Sequence, residues 1–202
     1  MRVLILGGDG TLGHSFFTHL GLARRGHDIR ATLRQDMGVY RDLGLFNFEN
    51  AFPCVDARST ERLAEVLAAF RPDAVVNCVG IVKQRLAAQE SIPSIELNAL
   101  LPHRLAVLCK GIGARLIQLS TDCVFSGEKG NYQETDRSDA TDLYGKTKFL
   151  GEVHSSHCLT IRTSSVGPEL GSNKGLLGWF LSQQSAVKGF RKAIYTGLTT
   201  PE

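Results

Sequence analysis

Tyr144 and Lys148 stand four residues apart in Asp142-Leu-Tyr-Gly-Lys-Thr-Lys148, and on a helix that spacing makes their side chains neighbours on one face. A phenol beside an ammonium group is a candidate proton donor, because a free tyrosine titrates near ~10 and a nearby positive charge favours its ionised form. The pair could therefore exchange a proton with a substrate oxygen. A Tyr and a Lys at this spacing also occur in helices that do no chemistry, so the rest of the chain has to decide.

A second chemical feature lies at the start. Arg2 to Leu6 is an aliphatic run that reads as a strand buried on both faces, and Gly7-Gly-Asp-Gly-Thr-Leu-Gly13 follows, with glycines at its first, fourth and seventh positions. Glycines there permit a tight turn and let backbone N–H groups approach a pyrophosphate at the positive end of the next helix. A glycine-rich turn with no ligand is the plainer alternative.

The elements that must carry these residues alternate. A helix over Thr11–Arg25, closed by Gly26 and carrying His14 and His19 as solvated or packed histidines, leads to a strand over Asp28–Leu33. Just beyond, Thr32 and Arg34 occupy the region where an acid would favour NAD; an Arg there can accept the 2′-phosphate of NADP or stand as a solvated surface residue. Val39–Ala51 reads as a short helix and loop, Pro53–Asp56 as the third strand, and Ser59 as the cap of an amphipathic helix reaching Phe70. Asp73–Gly80 is the fourth strand, with Asn77-Cys-Val-Gly80 at the sheet edge where ligands bind in open α/β sheets. A helix over Ser94–Gly111, bent at Pro102, turns Asn98 toward the sheet, where its amide either stitches the helix to backbone groups or belongs to an active site.

Ala114–Ser120, the fifth strand, delivers Ser120, Thr121 and Asp122 to the same edge. A polar loop over Phe125–Asp142 precedes the Tyr144 helix, which has Phe149, Leu150 and Val153 for packing. Leu159–Arg162 is a sixth strand, and a helix over Gly175–Gln184 carries Trp179. The alternation predicts an α/β fold with a doubly wound parallel sheet of the Rossmann type.

Composition narrows the function classes. The chain has 202 residues, 43% of them hydrophobic, enough for one well-buried domain, and a net charge of +3 without a basic block, which argues against nucleic acid. Cys54, Cys78, Cys109, Cys123 and Cys158 are odd in number and form no Cys-x-x-Cys pair, so they read as reduced thiols and no metal site is expected. The apolar opening Val3–Leu6 is too short for a signal or membrane segment. A cytoplasmic protein without membrane or nucleic-acid partners is the expectation.

Taken together, Gly-x-x-Gly-x-x-Gly at 7–13, Asp56, Asn77-Cys-Val-Gly80, Asn98, Ser120-Thr-Asp-Cys-Val-Phe125 and Tyr144-x-x-x-Lys148 resemble the extended short-chain dehydrogenase/reductases. Ser120-Thr-Asp-x-Val-Phe and Leu143-Tyr-Gly-Lys-x-Lys148 resemble the dTDP-4-dehydrorhamnose reductase-like, sugar-nucleotide-modifying branch. The resemblance implies an NADP(H)-dependent reductase of a keto-sugar nucleotide, with Tyr144 as proton donor and hydride from the nicotinamide. Lys148 would lower the Tyr144 pKa and hold the nicotinamide ribose, Thr121 would bond the substrate oxygen, and Asn98 would support the lysine through water. Gly7, Gly10, Thr11, Leu12 and Gly13 would face the pyrophosphate, Arg34 a 2′-phosphate, Asp56 and Ala57 the adenine, and Cys78, Val79 and Gly80 the cofactor's inner wall.

Ser165 stands where rhamnose-pathway reductases carry an aromatic residue, so the sugar remains open. An epimerase or dehydratase on the same scaffold is one alternative, weakened by Cys123 in place of a second carboxylate, and a non-catalytic NADP-binding regulatory subunit is another. The resemblance leaves room for a homodimer. It also divides the chain into a dinucleotide-binding domain over 1–165 and a partial substrate-binding region over 166–202, the latter expected to be truncated.

Overall fold

Val3, Leu4, Ile5 and Leu6 are all buried, as a strand covered on both faces requires, and they form the middle of a six-stranded sheet. The structure, a computed structural model, describes residues 1–22, 26–82, 90–171 and 175–200. The chain runs β1 (Arg2–Leu6), α1 (Thr11–Leu22), β2 (Asp28–Thr32), β3 (Ala51–Phe52), α2 (Thr60–Phe70) and β4 (Ala74–Asn77). It continues through α3 (Ser91–Ser94), α4 (Leu101–Ile112), β5 (Arg115–Thr121), α5 (Leu143–Leu150) and β6 (Cys158–Thr163). The strand order is β3-β2-β1-β4-β5-β6 with parallel pairing. The chain thus winds outward from β1 and then returns to its other side at β4, and in such sheets the crevice beyond the strand ends at that reversal is the binding position.

Successive strand residues point to opposite faces, and β1 divides accordingly. Leu4 and Leu6 join Leu63, Val66, Leu67 and Phe70 of α2 and Leu101, Leu105 and Cys109 of α4. Val3 and Ile5 join Phe17 of α1 with Met37, Tyr40 and Phe46 on the opposite face. Ser59 caps α2 by accepting from the Arg62 N–H, as its sequence position predicts.

Several boundaries differ from those expected. The third strand lies at Ala51–Phe52, ahead of Pro53–Asp56, because Pro53 has no N–H to donate and Cys54 takes a left-handed φ of 55°. Leu33 still donates to the Phe52 carbonyl and Val55 to the Leu33 carbonyl, so the segment stays tied to β2. The helical part of 39–51 is a 3-10 helix over Met37–Leu43, capped by Asp36. β4 ends at Asn77 instead of Gly80, since the Asn77 side chain accepts from Val79 N–H and turns the chain out of the sheet. The last three residues expected in the first helix, 23–25, lie outside the described residues; Gly26 has the positive φ, 67°, of a helix-terminating glycine.

The bend expected at Pro102 takes a specific form. A π-helical stretch over Ile95–Leu100 precedes α4, and Pro102 sits in its first turn. There the missing N–H costs least. At the far end of the chain β7 (Ser165–Val166) pairs in parallel with β8 (Leu198–Thr199). Between them α6 (Leu176–Leu181) buries none of its residues. It stops short of the expected Gln184 because the Ser182 and Gln183 side chains both bond the Trp179 carbonyl. Phe149 and Leu150, expected to pack, are exposed, whereas Val153 is buried. Among the described residues no helix is long and apolar enough to cross a membrane.

The helix α5 approaches the α4 region so closely that a Cβ on Gly151 would lie 1.9 Å from the Asn98 carbonyl oxygen and 3.1 Å from Pro102 Cγ. Overpacking of this kind costs about 1–3 kcal/mol. Gly151→Ala is therefore expected to lower the denaturant midpoint by that order, while Gly111→Ala, which meets nothing within 4 Å, should not destabilise. Equal stability of the two variants in urea titrations would show that α5 is free to move away.

Candidate active site

The turn after β1 is stripped of side chains by its own geometry. Gly7 has φ 76°, and a Cβ on Gly13 would lie 1.9 Å from the Gly7 carbonyl oxygen. The turn thus folds back on the start of α1, and its backbone faces the crevice. Gly10 N–H bonds the Gly7 carbonyl, while Gly7 and Gly8 N–H are held by Thr32 through its hydroxyl (3.1 Å) and carbonyl (2.9 Å). Thr11 and Leu12 open the twelve-residue α1. A glycine-rich turn running into a helix N-terminus suits an anionic pyrophosphate. His14 bonds the Gly10 carbonyl just ahead of α1, and His19 the Ser15 carbonyl within it.

The far side of this turn holds a contact that the sequence reading missed. The buried Tyr40 donates its hydroxyl to Asp9 Oδ2 at 2.6 Å and accepts from Gln35 N–H. Burial, and then the Asp9 hydrogen bond, push its phenol up to about 12. Arg34 is exposed just past β2, and its charge reaches both Tyr40 and Asp56. Asp56 is paired with Arg58 at 2.6 Å, a hydrogen bond that holds its carboxyl below the usual range. Ala57 packs against the core that α2 covers.

At the ends of β4 and β5, Asn77 donates to Gln118 across the pair at 2.7 Å. Cys78, Val79 and Gly80 follow along the crevice, with burial pushing the Cys78 thiol up to about 12. Val79 closes on Gly7, where a Cβ would meet its Cγ2 at 3.0 Å. Asn98 is buried, with Oδ1 accepting from Ile81 N–H at 2.8 Å and Nδ2 donating to the Ile81 carbonyl at 3.1 Å. It therefore stitches the π-helical stretch to the backbone beyond β4, the first of the two roles its position allowed. It also packs against Gly80, where a Cβ would lie 3.1 Å from its Oδ1 and 3.9 Å from Lys148 Nζ.

The helix α5 brings the chemistry together. Asp142 caps it through Gly145 N–H at 2.8 Å, and Gly145 lets it sit against the turn after β5, where a Cβ would lie 2.3 Å from the Cys123 carbonyl oxygen. Tyr144 is half-buried and lies beside the Thr121 side chain, whose hydroxyl donates to Asp122 and accepts from Cys123 N–H. Burial pushes its phenol up to about 12, against the pull of Thr121 and with help from Cys123, Asp122 and Asp142. The expected lowering by Lys148 is thus not the resting condition: burial is the largest cause, and the Lys148 ammonium, turned to the Leu119 carbonyl, is not among the charges that bear on the phenol. Lys148 is buried and donates Nζ to the Leu119 carbonyl at 2.6 Å; burial lowers its ammonium to about 8, with Glu152 and Cys78 opposing.

Glu152 was not singled out by the sequence, although its place four residues past Lys148 puts it in the same series. It is buried, accepts from Ser120 at 2.7 Å, and holds Arg162 at 2.8 Å through both oxygens. Arg162 lies over the Phe125 ring, which stacks on Tyr132 in the loop before α5.

A doubly wound sheet with a bare glycine turn after β1 and a Tyr/Lys helix beside the Thr121 strand end has the architecture of the extended short-chain dehydrogenase/reductases. The family model described as RmlD substrate binding domain matches residues 1–189, and the chain belongs to that family. It is 34% identical to the dTDP-4-dehydrorhamnose reductase of Shigella flexneri over 59% of this chain and 42% of that one. It is 30% identical to the probable low-salt glycan biosynthesis reductase Agl14 of Haloferax volcanii over 89% and 58%. Against the methionine adenosyltransferase 2 subunit beta of Mus musculus the figures are 27%, 75% and 41%.

Among solved structures, a hypothetical dTDP-4-dehydrorhamnose reductase from Sulfolobus tokodaii superposes with a TM-score of 0.68 at 28% identity, over 87% of this chain and 58% of that one. Two others share the fold. One is a Bacillus anthracis dTDP-4-dehydrorhamnose reductase in complex with NADP (0.63, 23%, 85% and 56%). The other is Bordetella bronchiseptica WbmG in complex with NAD and UDP (0.70, 22%, 85% and 56%). The chain spans about half the length of the curated relatives it matches.

Proposed function

We propose that the protein acts as a nicotinamide-dependent reductase of a keto-sugar nucleotide, of the dTDP-4-dehydrorhamnose reductase type. The observation that supports this reading is that α5 carries both Tyr144, beside Thr121 at the end of β5, and the buried Lys148, bonded to the Leu119 carbonyl of the same strand, in a chain of this family. The cofactor supplies hydride to the substrate carbonyl carbon. Thr121 and Tyr144 hold the carbonyl oxygen, and Tyr144 delivers the proton as charge develops there. Lys148 would hold the nicotinamide ribose, and an ammonium turned toward Tyr144 would favour the ionised form of its phenol. The turn over Gly7 to Gly13 and the start of α1 would hold the pyrophosphate, Asp56 and Ala57 would border the adenine, and Cys78, Val79 and Gly80 would form the wall beside the nicotinamide. The short β7–β8 ladder begins the substrate wall.

NADPH is the preferred cofactor in this reading, because the position that would carry an acid for the ribose 2′-hydroxyl is followed by Arg34, whose guanidinium is exposed. Titrating NADPH and NADH into wild type and Arg34→Ala should show tighter NADPH binding that is lost in the variant. Equal affinities in wild type remove the argument.

The catalytic reading is tested by following loss of NADPH absorbance across a panel of keto nucleotide sugars. Tyr144→Phe should lower kcat at least 100-fold, on the order of a lost general acid, with NADPH affinity nearly unchanged. Near-normal turnover in Tyr144→Phe would assign the Tyr/Lys pair to structure. A second reading, a cofactor-binding subunit that does not turn over substrate, is favoured by the similarity to the methionine adenosyltransferase 2 subunit beta. NADPH that binds but is never consumed by any member of the panel is its signature.

A further inference from the structure

Glu152 is 6% exposed and lies two residues beyond the end of α5. A buried acid there is doubly disfavoured, by the loss of water and by the negative end of the helix dipole. No step of the proposed reaction uses its oxygens. Yet both are engaged: Oε1 accepts from Ser120 Oγ at 2.7 Å and Arg162 Nε at 2.8 Å, and Oε2 from Arg162 at 2.8 Å. Ser120 and Arg162 are register partners on β5 and β6, and each immediately precedes the next pair, Thr121 and its neighbour Thr163.

The contacts of residues 144, 148 and 152 form a series. Tyr144 meets Thr121, Lys148 meets the Leu119 carbonyl, and Glu152 meets Ser120. Positions four apart on one side of the segment thus grip three consecutive residues of β5. We propose that Glu152 is a positioning residue for the reaction, seating α5 on the end of β5 through Ser120 and Arg162 and placing its carboxylate, one strand residue from the carbonyl that holds Lys148, as that lysine's counter-charge. The proposal rests on the reductase reading above, in which a charged lysine acts on Tyr144 and the ribose.

Electrostatics agree with the geometry. Burial draws Lys148 down to about 8, and Glu152 is the foremost group opposing it. Burial would raise the Glu152 carboxyl, but the hydrogen bonds from Arg162 and Ser120 outweigh it and hold the group below the usual range, so it remains an anion at neutral pH. The groups facing Lys148 are Glu152 on its own segment, Cys78 beyond β4 and the Leu119 carbonyl on β5; Arg162 on β6 acts on it through Glu152. Asp122, Cys123 and Asp142 bear on Tyr144. Removing the Glu152 charge takes away the main support of the ammonium and leaves a bare guanidinium nearby, so both changes lower the lysine further.

The test is a direct titration of Lys148 by NMR in protein labelled with 13C at the lysine Cε, with the resonance assigned from Lys148→Arg. Glu152→Gln should move the Lys148 midpoint down by about one pH unit or more, the size expected for loss of a close opposite charge. Arg162→Gln, which leaves the Glu152 charge unbalanced, should move it up. If Glu152→Gln alone does not fold, Glu152→Gln with Arg162→Gln carries the first arm, with a midpoint still below wild type. In turnover, the limb of the kcat/KM profile set by Lys148 should follow the same shifts. A wild-type midpoint in the folded variants, with only their unfolding temperature reduced, overturns the proposal and makes the pair structural. The NMR titration needs neither cofactor nor substrate: shifts in a protein that reduces nothing defeat the reductase reading alone, and unmoved midpoints in an active protein defeat this inference alone.

Discussion

Everything chemical in this chain depends on the contact between α5 and the end of β5. Lys148 is buried with its Nζ on the Leu119 carbonyl, and Tyr144 is held at the Thr121 side chain one strand position from Ser120. Burial disfavours both charged forms, raising the phenol and lowering the ammonium. The site therefore holds a neutral phenol beside Thr121 and a lysine whose ammonium is weakened by burial and supported by Glu152. Such poise requires the helix to stay in register with the strand, which explains the close approaches on its flanks. Gly145 admits the Cys123 carbonyl on one side and Gly151 the Asn98 carbonyl on the other.

The cofactor side of the crevice is built by the same economy of side chains. Thr32 fixes Gly7 and Gly8 by two hydrogen bonds from the neighbouring strand, and Asn98 pins Ile81 beyond β4. These buried polar groups are satisfied by backbone, which makes them rigid without filling the crevice. Tyr40 performs the comparable task at the outer rim, tying Asp9 of the glycine turn to the segment after β2.

The parallel sheet was legible in the sequence because β1, β4 and β5 are short apolar runs separated by helical patterns, and the site was legible because its members fall at strand ends and at fixed spacing on one helix. What escaped was decided by tertiary contact. Pro53 and the left-handed Cys54 moved the third strand ahead of its expected place, and Asn77 turned the chain out of β4 early. Asn98 offered two roles that no periodicity distinguishes, and its amide is spent on Ile81. Glu152 was not singled out by the sequence; only the folded chain sets Arg162 from β6 against it. Its spacing from Lys148 was the available signal.

The most direct measurement of the central claim is a crystal structure of the protein with NADPH. The pyrophosphate should rest on the N–H groups of Thr11 and Leu12, with the nicotinamide ribose hydroxyls about 3 Å from both Tyr144 Oη and Lys148 Nζ. A cofactor bound away from the glycine turn, or a Lys148 that stays on the Leu119 carbonyl while the ribose lies out of its reach, would contradict the assignment of α5 as the catalytic helix.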